Sequence, residues 1–168
     1  AEAHREVALA SGETSTDRGF PPSTLPAIAN LCERAGPGTQ DQGDITAVFS
    51  VLVAGSDMEE PLADMLRGVL DGHLVLSRDI AERGRYPAID LGKSVSRSLP
   101  EAASTAENAI IQDARKLLGA YEKSETMIRA GLYVAGTDRV LDRAIKIWPE
   151  LDQFCARQEN ETIENSFA

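Results

Sequence analysis

Aromatic side chains are scarce in this chain: one Trp, three Tyr and four Phe make up 5% of its 168 residues. A core with so few rings has to be built from aliphatic stripes. Cysteine is scarcer still. Cys32 and Cys155 lie far apart, with no Cys-x-x-Cys and no Cys/His ligand spacing, which leaves no basis for a disulfide framework or a zinc motif; both read as reduced, partly buried small hydrophobes. His4 and His73 lack a second His or carboxylate at ligand spacing and read as structural or surface residues, so no metal site is expected. Positive charge is in deficit, 17 Lys and Arg against 27 Asp and Glu, for a net charge of −10. Nonspecific nucleic-acid binding would have to overcome phosphate repulsion, and no nucleic-acid partner is expected.

No apolar run approaches the roughly 18 to 20 residues of a bilayer span, and no secretory signal is present. A cytoplasmic protein that can dock on a membrane-bound partner is expected. Asn160-Glu161-Thr162 matches a glycosylation sequon, yet nothing else suggests secretion. Internal repeats and low-complexity tracts are absent. So is the G-x-x-x-x-G-K-[ST] loop that cradles nucleotide phosphates, along with any strand ending in Asp ahead of the first helix that could hold a metal.

What remains is ordinary soluble composition, 42% hydrophobic and 26% charged, enough for one domain or one and a fraction. Ala1–Ala10 predicts a helix already under way, as if the chain started inside a larger protein. Residues 11–22 are turn-rich, and Ser23 is the expected N-cap of a helix to about Arg34 that ends at Gly36, with Leu25, Ile28, Ala29 and Leu31 inward. Asp44–Ala54 is almost continuously apolar, as in a strand covered on both faces. The carboxylates Asp57, Glu59 and Glu60 ahead of Pro61 suit a helix start better than a metal. The helix from Pro61 is expected to close at Gly72, followed by a strand at His73–Ser77, a helical turn at Arg78–Arg83 and an extended segment at Ala88–Leu91. This order predicts a parallel α/β sheet with right-handed crossovers.

From Pro100 the character changes. Ile110, Ile111, Ala114, Leu117, Leu118 and Tyr121 form one helical stripe, and Val140, Leu141, Ala144, Ile145 and Trp148 another. Gly131, Gly136 and Pro149 punctuate them, with Thr137 or Asp138 as cap. The expected division is 1–100 as an α/β part and 101–168 as a small helical bundle, with Glu159–Ala168 frayed.

Within His73–Arg97, Arg78, Arg83, Arg85, Lys93 and Arg97 face only Asp79, Glu82 and Asp90, a cationic island in an acidic chain. Such an island suits a bound anion; a solvated helix face with local ion pairs explains Arg83 and Arg85 equally well.

The words RGFPPS at Arg18–Ser23, DGHLVLSRDIAERGRYPAID at Asp71–Asp90 and SVSR at Ser94–Arg97, in this order and spacing, resemble the C-terminal part of the ATPase of flagellar and type III protein export, a relative of the rotary ATP synthase catalytic subunits. The resemblance runs from Ala1 to about Pro100 and more weakly through Trp148, and is poor around Lys93 and Leu99–Thr105. No acidic loop like that of rotary catalytic subunits is recognisable between Glu122 and Asp138, which favours the export branch.

The resemblance implies an α/β plus α fold: the C-terminal half of a RecA-like P-loop ATPase core, then a small helical domain. It makes Arg97 an arginine finger reaching a neighbouring subunit's ATP, with an intrasubunit ion pair as the alternative. It sets Tyr86 and Pro87 on the adenine side of the pocket, with a packing corner as the alternative, and Tyr133 more loosely beside them or in the core. ATP and Mg are the implied cofactors, with ligands largely outside this chain, so the chain alone is expected to be inactive. The implied partners are a homohexamer of the same subunit, a stator-like regulator, a central stalk protein, the membrane export gate and chaperone–substrate complexes, at the inner face of the membrane. A non-enzymatic docking module and a nucleotide-binding subunit of a rotary ATPase are the alternatives.

Overall fold

The computed structural model describes residues 1–15, 19–39, 41–53, 55 and 58–156. Arg18, Asp57, the sequon at Asn160–Thr162 and the Glu159–Ala168 tail lie outside the described residues. The chain divides into two compact units, Ala1–Leu70 and Asp71–Ala168. The change of composition sits at Pro100, whereas the second unit takes in elements on both sides of it.

The first unit holds α1 (Glu2–Ala10), α2 (Thr24–Cys32) and α3 (Pro61–Val69). Pro61 occupies the first turn of α3, where its missing N–H would have had no partner. The helix ends at Val69 with Leu70 extended, so Gly72 does not close it. Ser23 does precede α2, but it does not cap it. Its hydroxyl donates to Glu13 Oε2 (2.6 Å) and its N–H to Glu13 Oε1 (2.9 Å), and His4 Nε2 lies 3.0 Å from the same hydroxyl. The Ser23 hydroxyl bond, then its N–H, hold the Glu13 carboxyl below its ordinary value. Thr24 and Cys32 are the buried residues of α2, while Leu31, expected inward, is exposed.

The apolar run at Asp44–Ala54 forms no strand among the described residues. Ile45 makes one antiparallel bridge to Gly36, and Val48 and Leu52 are 94% and 96% exposed. A doubly covered strand exists only between neighbouring strands, and the described residues of this unit supply none.

In the second unit β1 (Gly72–Leu76) leads through α4 (Arg78–Glu82) to β2 (Ile89–Ser96). The pair is antiparallel, with Gly72 opposite Ser96 and Leu76 opposite Ile89, which overturns the expected parallel strands for the described sheet. One short helical turn reverses the chain but is too short to carry it back to the start of β1, as a parallel crossover must. Ser94–Ser96 is the end of β2, which runs well beyond the extended segment expected at Ala88–Leu91. Close approach explains Gly72: a Cβ there would lie 2.6 Å from the Val95 carbonyl oxygen.

Two long helices follow, α5 (Thr105–Arg129) and α6 (Arg139–Cys155). The α5 start is a capping box: Glu107 accepts the Ser104 N–H (2.7 Å) while Ser104 accepts the Glu107 N–H (3.3 Å). Asp138 caps α6 by accepting the N–H groups of Val140 (2.8 Å) and Leu141 (3.2 Å). Pro149 stands inside α6, not at its end. The helix continues past the lost N–H because its apolar face is already committed to the hairpin core. That core is Leu117, Leu141 and Ala144, edged by Tyr121, Ile128 and Tyr133, with Tyr121 and Trp148 stacked at 4.1 Å; Ile110 of the expected stripe is exposed. Arg143 grips Asp113 with two bonds (3.1 and 2.6 Å) across the pair.

Asp138→Ala is expected to destabilise the protein by about 1 kcal/mol, and Leu141→Ala by about 2 to 5 kcal/mol. Urea denaturation checks both, and equal losses would contradict the distinction between cap and core.

Candidate functional site

Three of the expected site residues flank β2 at its two ends. Tyr86 and Pro87, joined by a cis peptide bond, lie in the loop that enters it; Arg97 is the first residue beyond it. With eight residues between them in β2, roughly 25 Å of extended chain separates the two ends. Tyr86 is 64% exposed, and Pro87 and Arg97 are exposed too. Arg97 is anchored through its backbone, donating its N–H to the Asp71 carbonyl (2.7 Å).

Tyr133 is elsewhere, in the connection between α5 and α6. Its hydroxyl donates to Asp142 Oδ1 (2.8 Å) and to the Asp138 carbonyl (3.1 Å), and its ring packs against the hairpin core. Burial, then the Asp142 bond, push its phenol above the ordinary value.

Between the two ends, β2 departs from the regular ladder. Val75 pairs with Asp90 and His73 with Val95, so several residues of β2 face Leu74 alone. Ser94, 3% exposed, fills the break with its side chain: the hydroxyl accepts the Val75 N–H (3.0 Å) and donates to the Asp90 carbonyl (2.5 Å). Its own carbonyl accepts from Arg115 Nη2 of α5 (3.3 Å), and His73 Nε2 lies 3.1 Å from the Lys93 carbonyl. The bulge also brings Gly92 against α5, where a Cβ would lie 2.5 Å from Glu122 Oε2. Glu122 is an exposed residue whose carboxylate abuts the strand. Burial, then the charge of Asp90, raise its pKa, with Glu125 adding to this and Lys93 opposing it.

The cationic island is largely neutralised within the protein. Arg78 pairs with Glu82 (2.7 Å) and Lys93 with Asp90 (3.0 Å). Arg85, expected on a solvated face or beside a bound anion, is instead drawn inward to the carboxylate of Asp152 of α6 (3.1 Å). Sequence reasoning missed Ser94, Asp152 and Glu122 as determinants of the site. The capping box Ser104-x-x-Glu107 was a readable local signal; Arg85–Asp152 had none, because its members are distant in sequence. Among the described residues no three His, Cys, Asp or Glu are gathered for a metal ion, and no helix is long and apolar enough to cross a membrane.

The family model described as the ATP synthase alpha/beta family, nucleotide-binding domain, matches residues 1–96, and the T3SS EscN ATPase C-terminal domain matches residues 103–166. The chain belongs to the flagellar and type III secretion export ATPases. It is 44% identical over 174 residues to the flagellum-specific ATP synthase of Caulobacter vibrioides, covering 99% of this chain and 39% of that protein. The assembled ATPase EscN of the enteropathogenic E. coli type III secretion system superposes with a TM-score of 0.90 at 37% identity, over 99% of this chain and 40% of its own. EscN in complex with its central stalk EscO gives 0.84 at 38% identity, over 99% and 40%. The chain thus spans about two fifths of the length of the relatives it matches.

Two outcomes are expected of this geometry. Ser94→Ala leaves a buried N–H and a carbonyl without partners and should cost about 1 to 3 kcal/mol; a change within experimental error by urea denaturation would mean that water replaces the hydroxyl. For Glu122, a folded-state pKa above the ordinary 4.5 means that the folded protein favours the protonated form. The resulting destabilisation is absent below pH 4.5 and grows as pH rises through the window above it. Glu122→Gln should therefore be more stable than the parent at neutral pH, with the difference closing as pH falls to about 4; a pH-independent difference would exclude the titration.

Proposed function

We propose that these 168 residues are the C-terminal part of a cytoplasmic ATPase that energises flagellar or type III protein export. In this reading residues 1–100 belong to the second half of a RecA-like core and residues 101–168 are the helical domain. The exposed Arg97 at the exit of β2 carries the proposal. Its backbone is pinned to Asp71 and the residue is exposed, which is compatible with a role toward a neighbouring subunit's nucleotide. There it acts as the arginine finger, stabilising the charge that develops as the γ-phosphoryl group is transferred to water. Tyr86 offers a flat exposed ring for the adenine, which stacking recognises without reading the base edges closely. Pro87 borders that surface. Tyr133 is the weakest member, because its hydroxyl is engaged by Asp142.

The phosphate-binding loop is not in these residues, and among the described residues no three His, Cys, Asp or Glu are gathered for a metal ion, so no step is assigned here to the metal. The assembly proposed is a homohexamer with ATP between subunits, peripheral to the inner face of the membrane. A central stalk protein, a stator-like regulator, the export gate and chaperone–substrate complexes are its partners; EscN's complex with its central stalk supports the first of these.

Arg97→Ala in the full-length ATPase should lower kcat by about 10³-fold or more, with nucleotide binding and assembly unchanged by fluorescence titration and light scattering. The 168-residue chain alone should show no Mg-dependent ATP hydrolysis. A kcat within tenfold of the parent would remove the finger role.

A further inference from the structure

We propose that Arg85 is a positioning residue: held by Asp152 of α6, it fixes the loop presenting Tyr86 and Pro87, so that the C-terminal helix sets affinity for the base of the nucleotide. The proposal rests on the adenine-side reading of Tyr86 given above.

The geometry is specific. Arg85 Nη2 donates to the Ile89 carbonyl (2.7 Å) and Nη1 to the Pro87 carbonyl (3.3 Å), bracketing the exit of the Tyr86–Pro87 loop. Its Nε lies 3.1 Å from Asp152 Oδ1, close enough for an ion pair yet without the alignment of a hydrogen bond. The side chain is only 10% exposed. A guanidinium removed from water is strongly unfavourable unless its charge is matched and its N–H groups are used. Among the described residues the carboxylate paired with it is that of Asp152, which belongs to another element. Removing Asp152 therefore leaves a buried cation whose best response is to turn outward, releasing both loop carbonyls. Lysine could not replace it, since one ammonium cannot bridge two carbonyls and a carboxylate in a fixed plane.

Apolar packing does not duplicate this tie. A cavity of about 250 Å³ lies beside it, walled by Ile80, Leu91, Leu118 and Trp148 among others, so the loop and α6 are joined there by the polar contact more than by continuous side-chain packing. Along its length α6 is tied to α5 through the Tyr121–Trp148 stack and the Arg143–Asp113 pair. A shift of the helical hairpin is thus carried to the loop through Asp152, and by linkage an occupied base pocket biases the hairpin in return.

The test uses the full-length ATPase with four variants: Arg85→Ala, Asp152→Asn, the double variant Arg85→Ala/Asp152→Asn, and Tyr86→Ala. Each is assayed for KM and kcat with ATP and for inhibition by tripolyphosphate, which carries the phosphate charge without a base. Asp152→Asn and Arg85→Ala should raise KM for ATP by roughly three- to tenfold, with kcat within about twofold and the tripolyphosphate inhibition constant unchanged. The double variant should be no worse than Arg85→Ala alone. If Arg85→Ala does not fold, Asp152→Asn, which keeps its shape, decides. An unchanged KM in Asp152→Asn beside a raised KM in Tyr86→Ala overturns the tie and leaves the adenine reading standing. Equal weakening of ATP and tripolyphosphate also overturns it, since that marks general disruption. A normal KM in Tyr86→Ala removes the adenine reading, and the positioning role goes with it.

Discussion

The break in the β1–β2 ladder is the constraint on which the site depends. Two strands alone are marginal, and this pair also gives up regular pairing where β2 bulges opposite Leu74. The Ser94 hydroxyl restores the lost bonds by accepting from Val75 and donating to Asp90. It sets how much chain lies between the Tyr86 loop and Arg97, and therefore where Arg97 meets the Asp71 carbonyl. A one-residue slip in this register would send every β2 side chain to the opposite face. The serine of SVSR thus matters for the arginine three residues on, through geometry and not through chemistry.

The hairpin and the helices are interdependent. Arg115 and Glu122 of α5 meet the bulge at the Ser94 carbonyl and at Gly92, and Asp152 of α6 meets the loop through Arg85. These polar contacts surround a small number of apolar ones, as expected where aromatic residues are few and the aliphatic core is narrow. The helical hairpin is accordingly part of the scaffold of the Tyr86–Pro87 loop. Of the cationic island, Arg85 serves this scaffold, while Arg78 and Lys93 are paired locally with Glu82 and Asp90.

The helices were legible because their signals are local: the stripe through Leu117 and Tyr121, the Pro at the start of α3, Asp138 ahead of α6. Two strand expectations failed for a common reason. Asp44–Ala54 has the composition of a buried strand, yet Val48 and Leu52 stand exposed, because burial requires partners that composition cannot supply. Parallel pairing was inferred from element order, but the short connection through α4 turns the chain back on itself. Pro149 was misplaced because helix-breaking propensity is weaker than the packing of an amphipathic face around it.

The sequence by itself determined the family, through words whose order and spacing resemble that family's, together with the helical hairpin and the candidates Arg97, Tyr86 and Pro87. Only the tertiary structure decided that Ser94 mends the ladder, that Glu122 is pressed against Gly92, and that Arg85 reaches Asp152 across the fold. Each depends on the distance between residues far apart in the chain, and no local propensity or periodicity encodes such a distance.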